Sequence, residues 1–347
     1  MTLTYPEATT EHAELRSRPI TAILTIVIGL GVLVFSLAIA IALGYKDIKL
    51  DEVWAALFHY NSEFTNHLVI WELRLPRVLG AALIGAAFAV SGAIMQGISR
   101  NPLADAGLLG LNSGAAFTLV ICLSIFPALP YHYILIVCFV GAGIGALLVF
   151  GIGSMTRGGL TPIRLILAGA AVSAMLAALG DGIALYFRVG QRVAFWFAGG
   201  LSGVKWDQLD LIVPWFACAI AGALMLSRSI TTLSLGEDTA RGLGQRVGLT
   251  KILSLLIVLI LAGASFSIVG AVSFIGLIAP HVTRYIVGVD YRWIIPCSAI
   301  IGAIFVVWAD LVGRIVHPPY ETPVGAIICL IGVPFFLYLA RKERRKL

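Results

Sequence analysis

Apolar runs close to twenty residues long alternate along this chain with short clusters of charge, proline and glycine. The runs fall at residues 20–43, 78–97, 104–126, 131–153, 162–186, 208–227, 250–270, 272–288, 293–312 and 324–340. A run of about twenty apolar residues matches the hydrocarbon thickness of a bilayer, and a helix satisfies its own backbone polar groups there. The pattern therefore predicts an all-α integral membrane protein, a bundle of ten transmembrane helices. An even number of crossings puts both termini on one side. Residues 1–19 are polar and form a tail outside the bundle, and residues 20–347 form one membrane domain.

Small residues recur every fourth position in two of these helices. The second carries Ala81, Gly85, Ala89, Ala93 and Gly97, and the third carries Ala106, Gly110, Gly114 and Thr118. Such a face lets backbones approach closely. Tight packing is the plainer reading and pathway lining the alternative, and the face places the second helix inside the bundle. The eighth run is short and is interrupted by Gly276 and Pro280. Proline removes a backbone donor and crowds the preceding turn, so this run is either a plain kink or a broken helix covered by protein or a water-filled cavity.

Composition sharpens the class. Hydrophobic residues make up 59% and charged residues 12%, where a soluble domain carries about a quarter charged. The mean hydropathy is +0.98. A net charge of +6 is compatible with nucleic-acid binding, but the basic residues sit in short loops and at the C-terminus. They orient the chain in the membrane instead. Segments on the N-terminal side hold 16 lysines and arginines and the opposite segments hold 8, which predicts cytoplasmic termini. The first run is too long for a signal-peptide core and reads as a retained helix. The five cysteines lie in apolar segments without a C-x-x-C pair and read as packing residues.

Candidate chemistry is confined to the connections. Between the sixth and seventh helices, residues 235–248 include Glu237 and Asp238 early and Arg241 later, an order that suits a short helix and its dipole. Gly242, Gly244 and Gly248 lack the strand and spacing of a dinucleotide fingerprint. The stretch is a docking surface for a cytoplasmic partner or a mere connector. Asn101-Pro102 marks a turn, with Asp105 expected in the first turn of the next helix. On the outer side Arg74 and Arg77 precede the second helix and Arg314 follows the ninth. Exposed arginines grip a partner's carboxylates or simply anchor the interface. Asp181 and Asp310 are the acids within or at the edges of helices, and Asp310 stands four positions before Arg314, where the two can pair. The six histidines are dispersed, so no catalytic or metal-binding set is expected.

These stretches resemble the FecCD-type permease family, the transmembrane subunits of type II importers for iron–siderophores, haem and cobalamin. The resemblance runs from about residue 20 to the C-terminus and rests on Leu73-Arg-Leu-Pro-Arg-Val78, Gly92-Ala-Ile-Met-Gln96, Asn101-Pro-Leu-Ala-Asp-Ala-Gly-Leu-Leu-Gly110, Leu235-Gly-Glu-Asp-Thr-Ala240 with Gly242-Leu-Gly244, and Ser273-Phe-Ile-Gly-Leu-Ile-Ala-Pro-His281. It implies a permease that pairs with a second permease, identical or homologous, in the inner (cytoplasmic) membrane. Two cytoplasmic ATPase subunits dock below and an extracytoplasmic binding protein docks above. It assigns ATPase coupling, in a loop over about 228–250, to Gly236, Glu237, Asp238, Ala240, Arg241 and Gly242. It assigns docking of the binding protein to Arg74, Arg77 and Arg314, and the cytoplasmic gate to Asn101, Leu103, Thr161 and Pro162. The implied cargo is an iron(III)–siderophore or a haem- or cobalamin-like molecule, moved by alternating access. The chain itself would be no enzyme and hold no cofactor, because ATP and magnesium belong to the partner subunits; lipid surrounds it and nucleic acid is no partner. A proton-coupled secondary transporter is the main alternative, although such carriers usually bury more ionisable groups. A membrane-embedded enzyme and a channel are more distant ones.

Overall fold

The computed structural model describes residues 17–44, 47–105, 107, 110–154, 162–270, 272–317 and 320–344, and among them it holds helices and no strand. In chain order these are α1 (Pro19–Ala42), α2 (Leu50–Phe58), α3 (Thr65–Val69), a π-turn (Ile70–Arg74), α4 (Leu75–Ser99), α5 (Leu111–Ile125), α6 (Tyr131–Ser154), α7 (Pro162–Tyr186) and α8 (Gly190–Gly199). A 3₁₀ turn (Gly200–Gly203) follows, then α9 (Trp206–Ser234), α10 (Glu237–Gly242), α11 (Val247–Val269), α12 (Ile275–Val287), α13 (Tyr291–Ile315) and α14 (Val324–Arg344). Among the described residues, seven helices are long and apolar enough to cross a membrane, and three shorter apolar helices accompany them. Every apolar run read from the sequence coincides with one of these ten.

The bundle is organised around α4. In the continuous helix Thr65–Ser99, 83% of the most apolar window is buried, against 11% in α1. The small-residue face explains how α4 reaches the centre. A Cβ at Gly85 would lie 2.3 Å from the Gly302 carbonyl oxygen of α13, and one at Gly92 would lie 1.9 Å from the Gly276 carbonyl oxygen of α12. Backbones meet there without side chains between them. The matching face of α5 meets α6, with Gly114 against Gly141 and Gly145 and Thr118 Oγ1 donating to the Val137 carbonyl. By contrast α1 turns Ile23, Val27, Ile28, Val34 and Phe35 outward, the composition of a lipid-facing helix.

Four boundaries differ from the reading of the sequence. The third helix starts at Leu111, not near residue 104, because Gly110 sits at φ +73° beside the Gly145 backbone and ends the preceding turn there. Asp105 therefore lies ahead of that helix; its Oδ1 is instead 2.6 Å from where a Cβ on Gly276 would stand. The second crossing begins at Thr65, not near residue 78, so Arg74 and Arg77 lie within a helix. Residues 228–234 still belong to α9 and residues 247–250 to α11, which narrows the connection to 235–246. The eighth run is one helix of 13 residues that continues through Pro280. At about 1.5 Å per residue it spans roughly 20 Å, short of the bilayer core. Helices α2 and α8, 9 and 10 residues long, fall below the length that marks a crossing in sequence.

Candidate functional site

At one end of the bundle α10 closes the connection between α9 and α11. Gly236 precedes it at φ +141°, a conformation that favours glycine. Ala240 is fully buried and anchors the short helix, while Gln245 donates to the Ser229 carbonyl and to Thr250 Oγ1, both at 3.0 Å, and holds the connection against α9 and α11. Gly244, at φ +77°, turns the chain out of α10, and the Gln245 amide returns to the Ala240 carbonyl. Glu237 binds Lys251 Nζ through one carboxylate oxygen and Arg241 through the other, at 3.3 Å. The Lys251 hydrogen bond holds the Glu237 carboxyl below the usual glutamate range; partial burial opposes this, and the charges of Lys251, Arg100 and Arg241 add to it. Asp238 is fully exposed, and Leu235 and Leu243 are exposed beside it. An anchored helix with outward acidic and leucine side chains is a surface a partner can grip.

The charge of Arg100, at the turn after α4, is felt at Glu237. Arg100 adopts φ +52°, and Asn101 Oδ1 accepts from the Leu103 amide at 3.0 Å, the turn its Asn-Pro sequence predicts. Leu103 packs against the small cluster of Leu277, Ile278 and Leu339 on α12 and α14. Of the other two expected gate residues, Pro162 opens α7 and Thr161 lies outside the described residues. Asn101 thus shapes the turn after α4, and Leu103 seats that turn on α12 and α14.

A second polar layer at this end was not singled out in the sequence. Asp290 caps α13 by accepting from the Arg292 amide at 3.0 Å and is ion-paired with the Arg292 side chain at 2.7 Å. Burial raises the Asp290 carboxyl, but the hydrogen bonds and charge of Arg292, with Thr231, outweigh it and leave it below the ordinary aspartate range. Thr231, in the last turn of α9, accepts from the Tyr291 amide at 2.9 Å and lies 3.3 Å from Asp290 Oδ1. The available signal was Asp290 before an apolar run, an N-cap in a helix-start position.

At the opposite end the three expected docking arginines converge. Arg77 binds Asp310 through Nε at 3.0 Å and Nη2 at 2.9 Å and reaches Glu321 at 2.7 Å through Nη1. Arg314 Nε is 3.2 Å from Asp310 Oδ2 but its hydrogen is not aimed at that oxygen, so the contact is one of charge, not a hydrogen bond. Arg74 donates to the carbonyl of Ala42 at 2.8 Å and Arg314 to that of Leu43 at 3.3 Å, so two cations complete the C-terminal end of α1. The exposed grip expected of these residues is therefore corrected in one respect. Arg77 and Arg314 are only 13% and 7% exposed, and the side chain of the cluster that faces outward is Glu321, at 45%.

Residues 32–342 match the FecCD transport family. The chain belongs to that family. It is a multi-pass permease of the cell membrane. Among its relatives, it is 50% identical over 337 residues to the iron(3+)-hydroxamate import system permease protein FhuB of Bacillus subtilis, covering 97% of this chain and 88% of that one. The ferric enterobactin transport system permease protein FepD of Escherichia coli is 38% identical, with 90% and 93% covered. A solved structure of a metal-chelate type ABC transporter, in an inward-facing conformation, superposes with a TM-score of 0.78 at 27% identity and covers 91% of this chain and 98% of that one.

Proposed function

We propose that this permease moves an iron(III)–hydroxamate chelate into the cytoplasm as the membrane half of an ATP-binding-cassette importer. The reading rests chiefly on the 50% identity, nearly end to end, with an iron-hydroxamate import permease. On this reading the termini are cytoplasmic and α10 faces the cell interior. Two ATPase subunits, which hold the ATP and magnesium, bind over Gly236, Glu237, Asp238, Ala240, Arg241 and Gly242. Displacement of α10 then reaches Asn101 and Leu103 at the adjoining turn, and opens the pathway to one side at a time.

The outer end receives the binding protein. An incoming carboxylate exchanges with Glu321 for Arg77, while Arg74 and Arg314 supply further positive charge around it. The second permease covers α7. That helix exposes Ala170, Ala171, Ala174, Ala177, Ala178 and Gly182, with the Asp181 carboxylate among them, as well as Leu167, Met175, Leu179 and Leu185. A carboxylate on a helix facing hydrocarbon is costly, so this face belongs against another subunit or a watered pathway and not against lipid.

The test is co-purification in detergent with the neighbouring ATPase and binding protein, followed by uptake of iron-55 chelates into liposomes. ATP-dependent uptake of a hydroxamate chelate is expected. Uptake that persists without ATP and follows a proton gradient would overturn the reading in favour of a secondary transporter.

A further inference from the structure

Pro280 lies inside α12. It has no N–H to donate to the carbonyl four residues earlier, that of Gly276. In a buried part of a membrane protein an unpaired carbonyl is expensive, since no water is at hand. The Gly276 carbonyl has found a replacement donor on another helix. Gln96 of α4, only 3% exposed, donates from Nε2 to it at 3.2 Å. The amide cannot be turned the other way, because its Oε1 accepts from Arg284 Nη2 at 3.0 Å and a carbonyl cannot donate.

The same guanidinium nitrogen of Arg284 also donates to the Tyr291 hydroxyl at 3.1 Å. The Tyr291 ring lies against Gly97, where a Cβ would come within 2.8 Å of it. Its backbone amide donates to Thr231 of α9, three residues before the end of that helix and six before α10 begins. An unbroken chain of contacts therefore runs from the end of α9 through Tyr291, Arg284 and Gln96 to the proline site in α12. The backbone contact of Gly92 with Gly276 sits one turn along α4 from Gln96.

The geometry points to Gln96 as a positioning residue for transport, its side-chain amide standing in for the N–H that Pro280 lacks and tying α12 to α4. The inference rests on the importer reading above. A hydrogen bond to a side chain can be made and broken as helices shift, whereas a bond within the helix moves with it. Gln96 thus lets α12 bend at the proline without leaving a carbonyl bare and ties that bend to α4, while Arg284 of α12 reaches α9 through Tyr291.

The test uses the assembled importer, with uptake measured per ATP hydrolysed. Wild type must show cargo-stimulated, ATP-dependent uptake; failure of that control falls on the importer reading and not on Gln96. Gln96→Leu is expected to lower uptake per ATP about tenfold, the size set by leaving a buried carbonyl unpaired. Gln96→Glu keeps the shape and the Arg284 contact but offers no donor, and is expected to fall equally. It serves as the readout if Gln96→Leu does not reach the membrane. Pro280→Ala restores an N–H for the Gly276 carbonyl, so in that background either Gln96 substitution should cost less than about threefold. Wild-type coupling in Gln96→Glu, or the same penalty with and without Pro280, would overturn the assignment.

Discussion

Arg77, Asp310 and Arg314 meet inside one end of the bundle, while Glu237, Arg241 and Lys251 meet on the surface of the other. Both clusters are built from the same chemistry, and burial separates their consequences. Asp310 is 3% exposed and faces two guanidinium groups. Removing it would leave Arg314 without its counter-charge, and Arg77 with only the more exposed Glu321, in a place that hydrates poorly. The α10 cluster keeps water as an alternative partner, so any one of its members can be lost cheaply from the fold. Architecture is held at the first site, and association with a partner is available at the second.

The largest expected effect breaks the first site. Asp310→Ala should destabilise the protein by about 3–5 kcal/mol, because one partner of a buried ion pair is lost. Thermal unfolding in detergent measures it, and a shift no larger than that of a surface substitution would remove the distinction drawn here. Glu321→Gln, at the exposed edge of the same cluster, should cost about 1 kcal/mol or less in the same assay. Its informative readout is affinity for the binding protein, which should rise if Glu321 competes with the partner's carboxylate for Arg77.

At the α10 end, Glu237→Arg puts a third cation beside Lys251 and Arg241 and should weaken ATPase attachment while membrane insertion is retained. Unchanged co-purification of the ATPase would count against the docking role. Lys251→Met should alter folding stability by about 0–1 kcal/mol, a value that Asp310→Ala must clearly exceed. The smallest effect is that of pH. The Glu237 carboxyl is lower in the folded protein than in the unfolded chain, so its contribution is fully present above the ordinary glutamate value, about 4.3. It is lost as pH falls through the lower folded value. Stability traced to this pair should be flat between about pH 5 and 8 and decline only in stronger acid; a change near neutrality, checked against Glu237→Gln, would contradict the assignment.

Much of the molecule was legible in the chain. The ten apolar runs, the central position of α4 and the short helix at residues 237–242 follow from hydropathy, glycine spacing and charge order. The partners of Asp310 were only half legible, because Arg314 stands four residues away on the same helix whereas Arg77 is more than two hundred residues distant. The early start of the second crossing was hidden by Glu72, Arg74 and Arg77, whose charges interrupt an otherwise apolar helix. The late start of α5 was hidden because Gly110 reads as one more small residue, and only its backbone angle distinguishes a turn.

Periodicity along a chain is a local property, and the bilayer makes it decisive, since each crossing must satisfy its own backbone hydrogen bonds. That is why the sequence by itself determined the class, the number of apolar helices and the family. Which carbonyl Gln96 would serve, and which charges would be shut away from water, depended on helices far apart in the chain meeting at Gly92, Gly276 and Gly302. Those contacts are set by packing in three dimensions, and only the tertiary structure decided them.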